Sequence, residues 1–136
     1  MRAHWIALTV FAASITGIVH AAESVTAPPA TAASLMEKSL PTLENQTALM
    51  LKVSYAPGGA TAAHRHNANT FVYVLEGSIV MQVAGSEEVT LVAGETFYEA
   101  RSDIHSVSRN ASQTEPATFL VFMIKDEGAP VSMPVE

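Results

Sequence analysis

Cysteine is missing from all 136 residues of the chain. Disulfides, thiolate metal sites and thiol nucleophiles are therefore excluded, and the fold must hold together through its apolar core. Tryptophan occurs once, as Trp5. Basic side chains are scarce: seven Lys and Arg stand against thirteen Asp and Glu, for a formal net charge of −6. With no cluster of Lys or Arg, neither a nucleic acid nor an anionic membrane surface is an expected partner, because both need grouped cations. There is no Gly-rich phosphate loop and no internal repeat. Only the N-terminus carries a long apolar run, and it falls short of the roughly 20 residues that span a bilayer.

That run reads as an export signal. Arg2 supplies the positive start, residues 5–19 the apolar stretch, and Val19-His20-Ala21 the small-x-small cleavage site. No Lys or Arg stop-transfer cluster follows, so a cleaved signal over residues 1–21 is expected rather than a transmembrane anchor. The mature chain would start near Ala22 and be periplasmic or secreted, with no membrane association after cleavage. Arg2 is the one charge lost, which leaves 6 basic and 13 acidic side chains, a balance of −7.

Residues 22–46 read as an N-terminal arm or linker. Its first part is Ala, Thr, Ser and Pro around Pro28-Pro29, and residues 34–40 have the composition of a short helical turn that Pro41 stops. From residue 47 to 136 the pattern changes to short apolar runs separated by Gly, Asn, Ser and Pro. Strands are predicted at 48–55, 71–75, 78–83, 88–92, 96–99, 106–109 and 118–125. Many short β-branched and aromatic strands, with no helix long enough for a βαβ crossover, imply a single all-β domain, a sandwich or barrel.

Outside the expected signal the chain has three histidines, His64, His66 and His105. On a strand, residues two apart share a face, so His64 and His66 project together while Arg65 points elsewhere. Neutral imidazoles suit zinc, copper, iron and nickel. His105 must arrive from another strand, which barrel closure would arrange. Three protein ligands leave coordination positions open, the pattern of a catalytic rather than a closed structural site.

The segment GGATAAHRHNANTFVYVLEG, residues 58–77, resembles the first motif of the cupin superfamily, G-x(5)-H-x-H-x(3,4)-E-x(6)-G. Gly58, His64, His66 and Gly77 fall in register. The segment GETFYEARSDIHSVSRN, residues 94–110, is similar to the second motif, G-x(5)-P-x-G-x(2)-H-x(3)-N. There Gly94 and His105 fall in register and Asn110 is one residue late. The resemblance implies an all-β single-domain cupin barrel of the double-stranded β-helix or jelly-roll type. It departs from the family at the glutamate ligand, which falls on Thr70 or Phe71, and at the second motif's proline and glycine, which are Ala100 and Ser102. The resemblance therefore implies a three-histidine variant with metal ligands His64, His66 and His105.

Glu99 is the remaining group of interest, six residues before His105 and at the end of a predicted strand. It reads as a fourth ligand, an acceptor that fixes a histidine tautomer, a base near bound water, or a solvated rim carboxylate. Which of these holds depends on the facing of its strand. Thr70, Phe97 and Arg101 are weaker candidates for a substrate pocket. The function expected is a non-haem metal-dependent dioxygenase acting on a small organic molecule. Its cofactor would be one divalent metal ion, Fe(II) favoured over Mn(II), Ni(II), Cu(II) or Zn(II). Two further readings stay open: a non-redox isomerase or lyase in which Glu99 moves a proton, and a non-catalytic periplasmic metal or small-ligand carrier. The resemblance also implies a homodimer, to which the arm before Thr47 would contribute by adding to a neighbour's sheet.

Overall fold

The computed structural model describes residues 26–135; the expected signal, residues 1–21, lies outside them. Eleven strands follow in order: β1 (Thr31–Ser39), β2 (Gln46–Tyr55), β3 (Ala60–Thr61), β4 (His64–Arg65), β5 (Asn69–Glu76), β6 (Ser78–Val83), β7 (Val89–Val92), β8 (Thr96–Glu99), β9 (His105–Asn110), β10 (Ala117–Asp126) and β11 (Met133–Pro134). Among the described residues there is no helix. All seven predicted strands are present, with ends that move by no more than two residues.

The strands form two antiparallel sheets. One runs β1-β2-β10-β5-β8, and the other runs β11-β4-β9-β6-β7 with β3 paired to β9. Strands that are not neighbours in sequence, such as β5 and β8, pair with each other, as in a jelly roll or double-stranded β-helix. The hydrogen-bonded ladders do not close into one continuous barrel. Alternation explains the core. Along β10, Ala117, Phe119, Val121 and Met123 point inward, and along β5, Val72 and Val74 do the same. They meet Ile79, Met81 and Leu91 from the second sheet in one apolar cluster.

The helical turn expected at residues 34–40 does not form. Residues 34–39 belong instead to β1, which pairs with β2 from Thr31↔Ser54 to Ser39↔Thr47. A seven-residue helix is marginal in water, whereas β2 offers a row of unpaired backbone groups, so pairing decides the conformation. β1 is exposed throughout and shows no burial alternation.

The hairpin between β5 and β6 depends on Gly77, at φ 72°. A Cβ there would stand 2.5 Å from the Pro116 carbonyl oxygen, so only glycine fits the close approach of this turn to the start of β10.

Candidate metal centre

His64 and His105 are direct cross-strand partners on β4 and β9, within one sheet. Barrel closure is therefore not what brings His105 to the pair. Ordinary antiparallel pairing does so, and it places side chains of opposed residues about 5 Å apart on one face. The ring centroids of His64 and His105 are 5.0 Å apart, and those of His64 and His66 4.6 Å. One ligand atom from each of the three lies within 4.8 Å of the others.

Glu99 comes from the opposite sheet. It is 2% exposed, and its Oε1 is 3.2 Å from His105 Nδ1 and its Oε2 3.8 Å from His66 Nε2. The facing that sequence left open is thus inward. Its register partner on β5 is Thr70, the residue at the family's glutamate position. The carboxylate stands one strand over from where the motif would put it. Thr70 is fully buried.

Each histidine has one nitrogen occupied by a group that can only accept. His64 Nδ1 donates to the Ala62 carbonyl at 2.7 Å, and His66 Nδ1 donates to the Val131 carbonyl at 2.7 Å. His105 Nε2 lies 3.1 Å from the Met81 sulfur, also an acceptor. The protons are thereby fixed on these outer nitrogens, the lone pairs of His66 Nε2 and His105 Nδ1 lie beside Glu99, and that of His64 Nε2 faces His66. His64 Nε2 and His66 Nε2 are 3.1 Å apart. Two lone pairs at that distance repel unless a cation lies between them. Two nitrogens each about 2.1 Å from one ion would be separated by about this distance.

Among the described residues, the buried side-chain atoms without a hydrogen bond are His105 Nδ1, Glu99 Oε1 and Thr70 Oγ1. The 3.2 Å approach of the first two is close but not aligned as a hydrogen bond. Buried polar atoms are ordinarily satisfied, so this group of unpaired acceptors beside opposed lone pairs fits a metal ion.

Electrostatics agree. Burial, reinforced by His64 and His66, pushes His105 down to about 3, and burial also lowers His66. Burial and Asp103 raise Glu99 to about 7. The two imidazoles beside Glu99 do not hold it down, because burial keeps them uncharged.

Beside the histidines lies a cavity of about 150 Å³ between the sheets. Leu51, Val72, Met81, Phe119 and Val121 make apolar walls, and Tyr55, Thr61 and Ser108 add hydroxyls. Tyr55 Oη is 2.6 Å from Ser108 Oγ and 2.7 Å from Thr61 Oγ1. Ala30 from the N-terminal side and Val131 and Ser132 from the C-terminal side complete the lining. No motif in the sequence marks Tyr55, Met81 or Ser108 as lining residues. A bulge between Gln82 and Val83, opposite β9, changes the parity so that His105 and Ser108, three apart, both face inward.

Of the weaker pocket candidates, Phe97 packs on the core with its ring centroid 6.2 Å from that of His105. Thr70 sits beside Glu99, and neither it nor Phe97 lines the cavity. Arg101 is at the surface, where Asp126 at the end of β10 accepts its guanidinium. That ion pair removes Arg101 from the pocket.

The family model described as "Cupin domain" matches residues 51–123, more than half the chain. The chain belongs to the cupin family. No curated protein matches this cupin. Among solved structures it is similar to a cupin domain from Bordetella pertussis Tohama I, at 21% identity and a TM-score of 0.58, covering 74% of this chain and 98% of that one. It is also similar to an oxalate oxidase, at 27% identity and a TM-score of 0.56, over 65% of this chain and 46% of that one. A third is the DMSP lyase DddQ of Ruegeria pomeroyi DSS-3, at 18% identity and a TM-score of 0.61, over 74% of this chain and 49% of that one. The cupin thus spans about half the length of the two enzymes.

Proposed function

We propose that this cupin is an exported, metal-dependent dioxygenase acting on a small organic substrate, with its metal held by His64, His66, His105 and Glu99. The observation that carries the reading is the opposition of the His64 and His66 Nε2 lone pairs at 3.1 Å, each proton being committed to a backbone carbonyl on the other side of its ring. Three neutral nitrogens and one carboxylate suit a first-row divalent ion, Fe(II) first among Mn(II), Ni(II), Cu(II) and Zn(II). When bound, that ion would supply the redox chemistry and the charge that polarises the substrate.

The chain's own residues do the rest. The apolar walls exclude water and admit a molecule of only a few carbon atoms, given a cavity of about 150 Å³. The Tyr55, Ser108 and Thr61 hydroxyls orient it. Among the described residues no Lys or Arg lines the cavity, so recognition of a substrate anion would fall to the metal rather than to a side-chain cation. The resemblance to an oxalate oxidase is consistent with oxidative chemistry.

Protein purified without a histidine tag and assayed for bound metal tests this reading directly. Iron at one equivalent, with oxygen uptake on diketones or catechols, is the expected result. Failure of all five metals to bind would overturn the site. Turnover only without oxygen, with zinc or nickel, would replace the dioxygenase by a lyase or isomerase. A processed N-terminus near Ala22, found by mass spectrometry of the exported protein, would establish the expected cleavage.

A further inference from the structure

Lys125 is the only buried Lys or Arg among the described residues. It follows Phe119, Val121 and Met123 in the inward row of β10, opposite the equally buried Thr47 of β2. An ammonium held there is costly unless its protons find acceptors. Its Nζ donates to the Ala129 carbonyl at 2.9 Å and to the Asp126 carbonyl at 3.4 Å, and Glu37 Oε1 on β1 stands 3.8 Å away. These partners come from two segments far apart in sequence: the N-terminal arm, through β1, and the residues that follow β10.

Both segments also cover the metal cavity. Ala30 and Ala32 from the arm and Val131 and Ser132 from the C-terminal side belong to its lining. Residues 129–132 form a strap with few ties, and Pro130, Val131 and Ser132 are exposed. Lys125 holds the strap at Ala129, and the two-residue β11 holds its far end on β4. Between these points the Val131 carbonyl accepts His66 Nδ1 at 2.7 Å. On its other side lies a second depression of about 350 Å³, lined by Glu37 and Lys125, which shares Leu51 and Val131 with the metal cavity. The strap therefore runs along the edge common to the two spaces, and the second gives it room to move away from the first.

We infer that Lys125 latches the arm and the strap together as a lid over the metal cavity, and that through the strap it positions His66. The consequence at His66 rests on the metal reading above; the latch does not. A segment with little buried apolar surface and few hydrogen bonds opens locally at low cost, so one buried hydrogen bond at its end sets how often it opens. When the strap lifts, His66 Nδ1 loses its acceptor, the ring loses its fixed tautomer, and the cavity opens along the Val131 edge. Lys125 does not line the metal cavity, so it acts through the strap alone.

Amide hydrogen exchange on the metal-free protein, paired with transfer of Zn(II) from the loaded protein to a chelating dye, is the test. Lys125→Met keeps the length and apolar stem of the side chain and removes the ammonium. Exchange in the strap and β11 should accelerate roughly tenfold, with β5 and β6 unchanged, and Zn(II) should be released roughly tenfold faster. Strap exchange at the wild-type rate would overturn the latch. Faster strap exchange with unchanged Zn(II) release would overturn the positioning of His66. A wild type that binds no Zn(II) would remove the metal reading and the role at His66 together, while strap exchange would still decide the latch. Should Lys125→Met unfold, seen as fast exchange in β5 and β6 as well, Glu37→Ala decides instead. Its side chain is 57% exposed, so the fold is not at stake. It should accelerate the strap about twofold, as loss of a partly exposed ion pair does, and no acceleration would overturn the latch.

Discussion

At the scale of single residues, Glu99 and His105 oppose each other in their pH dependence. Burial raises Glu99 from 4.5 to about 7, so the stability its neutral form contributes is present below about 4.5 and lost as pH rises through about 7. Burial lowers His105 from 6.5 to about 3, so its contribution is present above 6.5 and lost as pH falls through about 3. Glu99→Gln removes only the upper loss. The metal-free variant should therefore exceed the metal-free wild type in stability at pH 8 by on the order of 2 kcal/mol and match it near pH 4, as read from urea midpoints. The same substitution removes an anionic ligand, and metal affinity should fall roughly 10–100-fold by competition with a chelating dye. Equal affinity would reduce Glu99 to a bystander. His64→Ala or His66→Ala should lose metal binding while far-ultraviolet dichroism is preserved. The pair of histidines was legible because extended backbone puts residues two apart on one face, although the strand itself, β4, holds only His64 and Arg65. Glu99 was legible as a candidate but not as an inward group, since its facing depends on pairing with Thr70 on a strand distant in sequence, which no local pattern encodes.

At the scale of elements, the C-terminal segment has a role that its exposed composition conceals. β11 pairs with β4 at Met133↔Arg65 and Pro134↔His64, and the preceding Val131 carbonyl fixes the His66 tautomer. Truncation after Gly128 should lower metal affinity roughly 10–100-fold while the two large sheets persist by dichroism. Unchanged affinity would show that water replaces the Val131 carbonyl without cost. The β5–β6 hairpin makes a separate prediction. Gly77→Ala forces a positive φ on a Cβ that meets the Pro116 carbonyl, and should cost about 1–3 kcal/mol in urea unfolding, without any direct effect on the histidines. β1 shows why one element was misread. Its residues, Thr31–Ser39, are exposed on both faces and mix helix formers with Ser and Thr, so neither periodicity nor propensity marks a strand. The partner strand supplies the reason, and the partner lies outside the local window. The two-residue strands β3, β4 and β11 escaped for a related cause, being too short for alternation to register.

For the whole molecule, the spacing of apolar runs and turn residues was enough to place the chain among all-β sandwiches and barrels, because each strand of β5, β6, β8 and β10 carries its own inward row. How the rows assemble was not legible, since sheet order depends on pairings such as β5 with β8 and β2 with β10 that join distant parts of the chain. That assembly has a consequence for stability. The histidines belong to one sheet and Glu99 to the other, so a metal held by all four ties the two sheets of the jelly roll together across the core. Binding to the folded chain alone, at a free concentration about 100 times the dissociation constant, stabilises it by about 2.7 kcal/mol. For a domain of this size that corresponds to a rise of roughly 10 °C in the unfolding midpoint. Scanning calorimetry with and without saturating metal should show this shift. It should shrink in Glu99→Gln at the same metal concentration, where the ion is anchored to the histidine sheet alone. An equal shift in both proteins would mean that the metal sits wholly on one sheet and that the two halves of the fold are held together by their apolar cluster.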